Sequence, residues 1–307
     1  MIWVIIGAFI LAIAVAPFAF EARKSRPSGK AYDAAPGALA KLTDGKTYYE
    51  WHGPVDGDVL VCVHGLSTPS FIWDGLVRNL TTMGYRVLTY DLYGRGLSDA
   101  PPRPQTREFF LRQLRELLAH EGVQEYSLLG YSMGGQIAIA QTAEEPEFVE
   151  RLILLAPAGF AIRATAVTRM VRDRGWIGDW LFFGLGGRKL RRQNNRLAGV
   201  ETAVPDLARR QNAQLDQKGY LTSVLSSMRH MLADDAEKDM AEIQRAHVPV
   251  LAIWGEKDAQ IQASAVGCLA KVNRDARHAT IAGASHWLPA THPGEVSRAI
   301  VEFRRDT

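Results

Sequence analysis

Residues 126–143 constrain the fold more than any other stretch. An apolar run, YSLLGY, leads straight into Ser132 within GYSMGG, and the following GGQIAIAQTA has a helical composition. A strand that turns at once into a helix is the repeating unit of a parallel sheet covered by helices. In such sheets reactive groups gather at the carboxyl ends of the strands. The tight turn strains the Ser132 backbone and projects its hydroxyl. A side chain two residues before or after would strike the neighbouring strand or helix, and Gly130 and Gly134 carry none. This is the G-x-S-x-G pattern of a nucleophile elbow. The turn also sets the Met133 amide at a helix amino terminus, where N–H groups point outward and the dipole favours an anion. An ordinary Gly/Ser turn is the competing reading, and the strand and helix on either side weigh against it.

A serine hydroxyl needs a base to take its proton, and a histidine does this best. The chain has 8 histidines. His52 lies in an early strand, while His120, His230 and His247 sit in helical or helix-end settings, all read as surface or packing residues. His278 begins a strand and His292 precedes a proline, so both have local roles. His286, in IAGASHWLP, follows the last strand and is the candidate base. An acid must hold that imidazole, and VPVLAIWGEKD offers Asp258 just beyond a buried strand. Glu256 shares the loop and is the alternative; Asp234 and Asp235 precede that strand and are disfavoured. A developing oxyanion needs donors. VCVHGLS ends another strand, where Gly65 allows a sharp turn, so the Leu66 and Met133 amides are the expected pair. His64 is read as a loop organiser.

Strand-like runs recur at KTYYEWHG, DVLVCVHG, YRVLTYD, YSLLGYS, ERLILLAP, VPVLAIWG and RHATIAG. Helix candidates lie at 71–83, 104–121, 133–145, 260–272 and 293–305. This alternation predicts an α/β fold with a mostly parallel central sheet and helices on both faces. It breaks at 158–245, a helical insertion read as a cap. The frame is then 45–157 with 246–307, preceded by a flexible linker at 23–44. A fraction of 47% apolar residues is that of a globular protein, and a net charge of +3 gives no reason to expect nucleic acid binding. The two cysteines, Cys62 and Cys268, imply no disulfide framework and stand in no metal-ligand spacing.

Residues 2–20, IWVIIGAFILAIAVAPFAF, carry no charge. As a helix they would extend about 28 Å, close to a bilayer core. A cleaved signal peptide wants basic residues before the run and a cleavage site not followed by Pro17. A buried core helix wants an amphipathic pattern. A transmembrane anchor at 1–22 fits best, with Trp3 and Phe20 near its interfaces. Arg23, Lys24, Arg26 and Lys30 follow the run, which places the globular part on the cytoplasmic side.

The segments HGLS, YDLYGRGLSD, GYSMGG, WGEKD and GASHWLP, in this order, make the chain resemble the α/β-hydrolase family over residues 45–305. The resemblance implies acyl transfer by Ser132, His286 and Asp258, with Asp91 and Arg95 structural and no metal or organic cofactor. Serine at the elbow argues against the dehalogenase and epoxide-hydrolase branches, which use aspartate. Residues 163–218 hold 12 Arg/Lys and 5 Asp/Glu, and WIGDWLFFGLGGRKLRRQNNR joins an apolar patch to a basic run. With the anchor, this suggests a membrane-facing cap and a lipid-like ester, of monoacylglycerol or lysophospholipid type. A small-ester esterase, a thioesterase, a peptidase, a perhydrolase, a C–C bond hydrolase of ring-fission products and a non-catalytic binding protein stay open as alternatives.

Overall fold

Uninterrupted apolar runs make strands that are buried on both faces, and the computed structural model of the chain shows this arrangement. It describes residues 1–161 and 166–307. Eight strands form one sheet: β1 (Ala38–Leu42), β2 (Gly45–His52), β3 (Asp58–Val63), β4 (Tyr85–Tyr90), β5 (Tyr126–Tyr131), β6 (Val149–Leu155), β7 (Val250–Gly255) and β8 (Arg277–Ile281). Their order is β1-β2-β4-β3-β5-β6-β7-β8. β2 runs antiparallel to β1 and β4. Every later pairing is parallel.

The strand period of two divides each central strand between two cores. Val61 and Val63 of β3 pack with the helices Arg107–His120, Met133–Glu144, Glu237–Arg245 and Ala263–Val272. Leu60 and Cys62 pack on the other face with Asp74–Thr82 and Pro293–Arg305. The expected helices are all present, to within a few residues at each end.

Two boundaries differ from the sequence reading. The segment expected as a linker, 23–44, contains a short helix, Gly29–Asp33, and the edge strand β1. It is also tied to the body, because the Lys218 amide donates to the Ser25 carbonyl at 2.9 Å and the Gly37 amide to the Tyr48 hydroxyl at 3.0 Å. β1 escaped notice because only Ala40 of ALAKL is buried, so the strand carries no apolar run. The cap is also narrower than the expected 158–245. Glu237–Arg245 buries Met240 and Ile243 in the core against Met133–Glu144, so it belongs to the α/β frame. The described part of the insertion is otherwise helical, through Tyr220–Arg229; residues 162–165 of the expected cap lie outside the described residues.

Candidate active site

Four parallel strands end on the same edge of the sheet, and each is followed by a residue singled out above. β5 runs into Ser132, β3 into Leu66, β7 into Asp258 and β8 into His286. Ser132 stands at the first turn of Met133–Glu144 with φ 54° and ψ −117°. A Cβ on Gly134 would lie 2.0 Å from the Val63 carbonyl oxygen, and one on Gly130 would lie 2.6 Å from that of Gly134. The glycines are therefore required by backbone approach, as the motif implied.

The Ser132 hydroxyl donates to His286 Nε2 at 3.1 Å. His286 Nδ1–H donates to Asp258 Oδ2 at 2.8 Å. The other Asp258 oxygen accepts the Gln260 and Ile261 amides at 2.7 and 2.9 Å. Burial pushes the Asp258 carboxyl up. The hydrogen bond from His286 and the two amides outweigh that push and hold it below the ordinary carboxylate range. Glu256, the alternative acid, accepts the Gly283 amide at 2.7 Å and so serves the neighbouring turn. The His286 ring leans on Tyr131, with centroids 5.2 Å apart, and the Tyr131 hydroxyl donates to the His286 carbonyl at 3.0 Å. Tyr131 was missed because its apolar run marked it as a strand residue only.

Met133 opens its helix, and the first amides of a helix have no carbonyl one turn back. Gly65 has an ordinary φ, so turn freedom is not its use. It sits close instead: a Cβ there would lie 3.3 Å from the Tyr131 ring and 3.4 Å from Ser132 Cβ. The loop beyond it is held from all sides. His64, fully buried, donates from Nδ1 to the Gly65 carbonyl and accepts the Leu92 amide at Nε2, both at 2.8 Å. Those partners fix one neutral tautomer, and burial pushes its pKa down to about 3. Asp91 accepts the Ser70 and Leu97 amides at 2.8 Å each, and burial raises it to about 6.

Arg95 is fully buried with neutral acceptors: the Leu66, Tyr93 and Ser223 carbonyls, the Gln105 amide oxygen and the Ser227 hydroxyl. Burial lowers its pKa to about 10, still charged at neutral pH. It therefore ties the Leu66 carbonyl to the cap helix Tyr220–Arg229. The Tyr220 hydroxyl adds a second tie, donating to the Ser67 carbonyl at 2.7 Å. A cavity of about 270 Å³ lies elsewhere, along β2 and β4, lined by Tyr48, Glu50, His52 and Asp91. Among the described residues no cluster of His, Cys, Asp and Glu is arranged to hold a metal ion.

A part-buried, hydrogen-bonded set of Ser132, His286 and Asp258 stands at the carboxyl ends of these strands, and comparison with known proteins assigns the fold that carries it. Residues 58–293 match the family model of the alpha/beta hydrolase fold, and the chain belongs to that family. It is 26% identical to epoxide hydrolase 3 of Xenopus tropicalis over 89% of this chain and 82% of that protein. It is also 26% identical to lipase 1 of Psychrobacter immobilis over 76% of this chain and 73% of that one. The crystal structure of a hydrolase from Pseudomonas aeruginosa PA01 superposes with a TM-score of 0.72, covering 88% of this chain and 99% of that one at 22% identity.

Proposed function

We propose that the chain is a membrane-tethered serine hydrolase that cleaves a carboxylic ester with an apolar, lipid-like acyl group. The observation that carries this is the continuous relay from Ser132 through His286 to Asp258. The Ser132 oxygen attacks the ester carbonyl while its proton passes to His286 Nε2. Asp258 holds the Nδ1–H and balances the imidazolium. The oxyanion forms against the Leu66 and Met133 amides. His286 then protonates the leaving alcohol and activates the water that releases the acid.

The similarity to lipase 1 favours an ester, and serine at the elbow separates this chain from the aspartate chemistry expected of epoxide-hydrolase relatives. The lipid-like substrate, of monoacylglycerol or lysophospholipid type, rests on the helix Ile2–Arg23. That helix is long and apolar enough to cross a bilayer, with a mean hydropathy of 2.6 over an 18-residue stretch. The cations after it, Arg23, Lys24, Arg26 and Lys30, favour the cytoplasmic side for the catalytic domain.

Full-length protein in detergent, assayed on p-nitrophenyl esters of increasing chain length and on a monoacylglycerol, tests this reading. We expect the longer chains and the glyceride to be preferred and Ser132→Ala to abolish turnover. Activity confined to acetyl and butyryl esters would remove the lipid from the account.

A further inference from the structure

The helix Ile2–Arg23 is fastened to the cap by a bond that its own sequence calls for. Pro17 lies inside it. Proline has no N–H, so the carbonyl one turn back, at Ile13, loses its helical donor. The Trp180 indole N–H donates to that carbonyl at 3.0 Å. Beside this bond Phe18 meets Phe183 edge-on with centroids 5.7 Å apart. Pro17 rests against Gly184, where a Cβ would stand 3.7 Å from its ring.

Depth follows from helix geometry. From Ile13 to Phe20, the last residue before the first charge, is about 10 Å along the axis. If the helix crosses a bilayer, the cap element bonded to Ile13 reaches that far below the polar boundary. Its composition suits the place. Gly175–Leu181 and the following π-turn Phe182–Gly186 expose Trp176 (69%), Leu185 (55%) and Ile177 (44%). Their acid, Asp179, is turned to Arg229 at 2.6 Å. The chain continues as Gly187–Asn195, whose Arg188, Lys189, Arg191 and Arg192 are exposed. Apolar and aromatic side chains followed by cations is the order met on leaving hydrocarbon for anionic headgroups.

We propose that Gly175–Gly186 is a membrane-embedded docking element. Trp180 supplies the hydrogen bond that Pro17 withdraws from Ile13, and Trp176, Ile177 and Leu185 contact bilayer hydrocarbon beside the anchor. The inference rests on reading Ile2–Arg23 as a membrane span. An unpaired carbonyl has no water to turn to in hydrocarbon, so the bond holds the cap at a fixed place on the anchor. The element also borders the candidate site. Phe182 packs with Tyr220, Leu221 and Val224, and Leu66 lies against the same cluster.

Two measurements on full-length protein in phosphatidylcholine vesicles containing phosphatidylglycerol test this. The first places an environment-sensitive fluorophore on Leu185→Cys in a Cys268→Ser background, Cys62 being fully buried. Val55→Cys, on a turn and 80% exposed, is the aqueous reference. Lipids brominated at mid-chain should quench the Leu185 label about threefold or more and leave the reference unchanged. Carbonate extraction of the protein would overturn the anchor reading and this inference together. Carbonate resistance with the Leu185 label in water would overturn this inference alone.

The second follows hydrogen exchange over Gly175–Gly186. Trp180→Phe should accelerate it by about tenfold. After Pro17→Ala, which restores the missing N–H, the same change should matter less than about twofold. Equal acceleration in both backgrounds would overturn the pairing of Trp180 with the proline.

Discussion

Ser132 holds φ 54° and ψ −117°, a conformation that a residue with a side chain rarely adopts. Such strain costs about 1–3 kcal/mol and persists only where the surroundings impose it. Here a sheet strand and a helix meet at one residue, and the Ser132 amide donates to the Leu155 carbonyl at 2.9 Å. The neighbouring glycines follow from the same geometry. Gly134→Ala would press a methyl group onto the Val63 and His64 carbonyls, at 2.0 and 2.4 Å. Backbone atoms cannot rotate away, so a loss of more than about 3 kcal/mol is expected, read as failure to accumulate or as a large drop in thermal midpoint. Asp258→Asn should leave the fold intact and lower kcat by roughly 10³–10⁴-fold on the best ester, because the imidazole loses its orienting acceptor. A variant within tenfold of the parent would remove Asp258 from the proposed relay. Ser132, His286 and Asp258 could be found in the sequence because each follows a recognisable strand in a fixed order. Tyr131 could not, because its hydroxyl bond to the His286 carbonyl depends on a partner far along the chain.

At the scale of elements, the loop after β3 is the least local part of the candidate site. HGLS announces a turn and the Leu66 amide, but what holds the loop comes from elsewhere. Arg95 reaches it from the turn after β4, and Tyr220 from the cap. The pattern DLYGRGLSD marks Asp91 and Arg95 as structural without saying what they hold. Arg95→Lys keeps the charge but cannot serve the Leu66 carbonyl, Gln105 and Ser227 from one planar group. We expect kcat to fall by roughly tenfold with KM little changed, since the oxyanion donor shifts and ground-state contacts remain. Unchanged kcat would show that the loop keeps its place without the guanidinium. The central strands and core helices were legible because periodicity survives wherever a face is buried, whereas the cap showed only as a break in their alternation. β1 was not, because an edge strand that buries one alanine leaves no periodic trace. The inner limit of the cap was hidden for the opposite reason. Glu237–Arg245 looks like the polar helices before it, and only the position of Met240 and Ile243 assigns it to the frame.

For the molecule as a whole, two buried groups beside the candidate site set opposing pH dependences. His64 falls from an ordinary 6.5 to about 3 on folding. The unfolded chain therefore takes up a proton that the fold refuses, and stability drops as pH falls from 6.5 towards 3. Asp91 rises from 3.8 to about 6. The fold then holds a proton that the unfolded chain lacks, and stability gains as pH falls from 6 to 3.8. The two nearly cancel over that window, so their combined loss appears below about pH 4. In Asp91→Asn the loss should begin near pH 6.5, with a slope of up to about 1.4 kcal/mol per pH unit, measured by urea unfolding at stepped pH. Parallel profiles for the two proteins would contradict this balance. In the proposed reaction Ser132 carries the acyl group between ester and water. Acid-quenching full-length protein during turnover of a long-chain ester, then weighing its peptides, tests this most directly. We expect a mass increase equal to the acyl group on the peptide containing Ser132. Turnover with that peptide unmodified, and with Ser132→Ala still active, would contradict it.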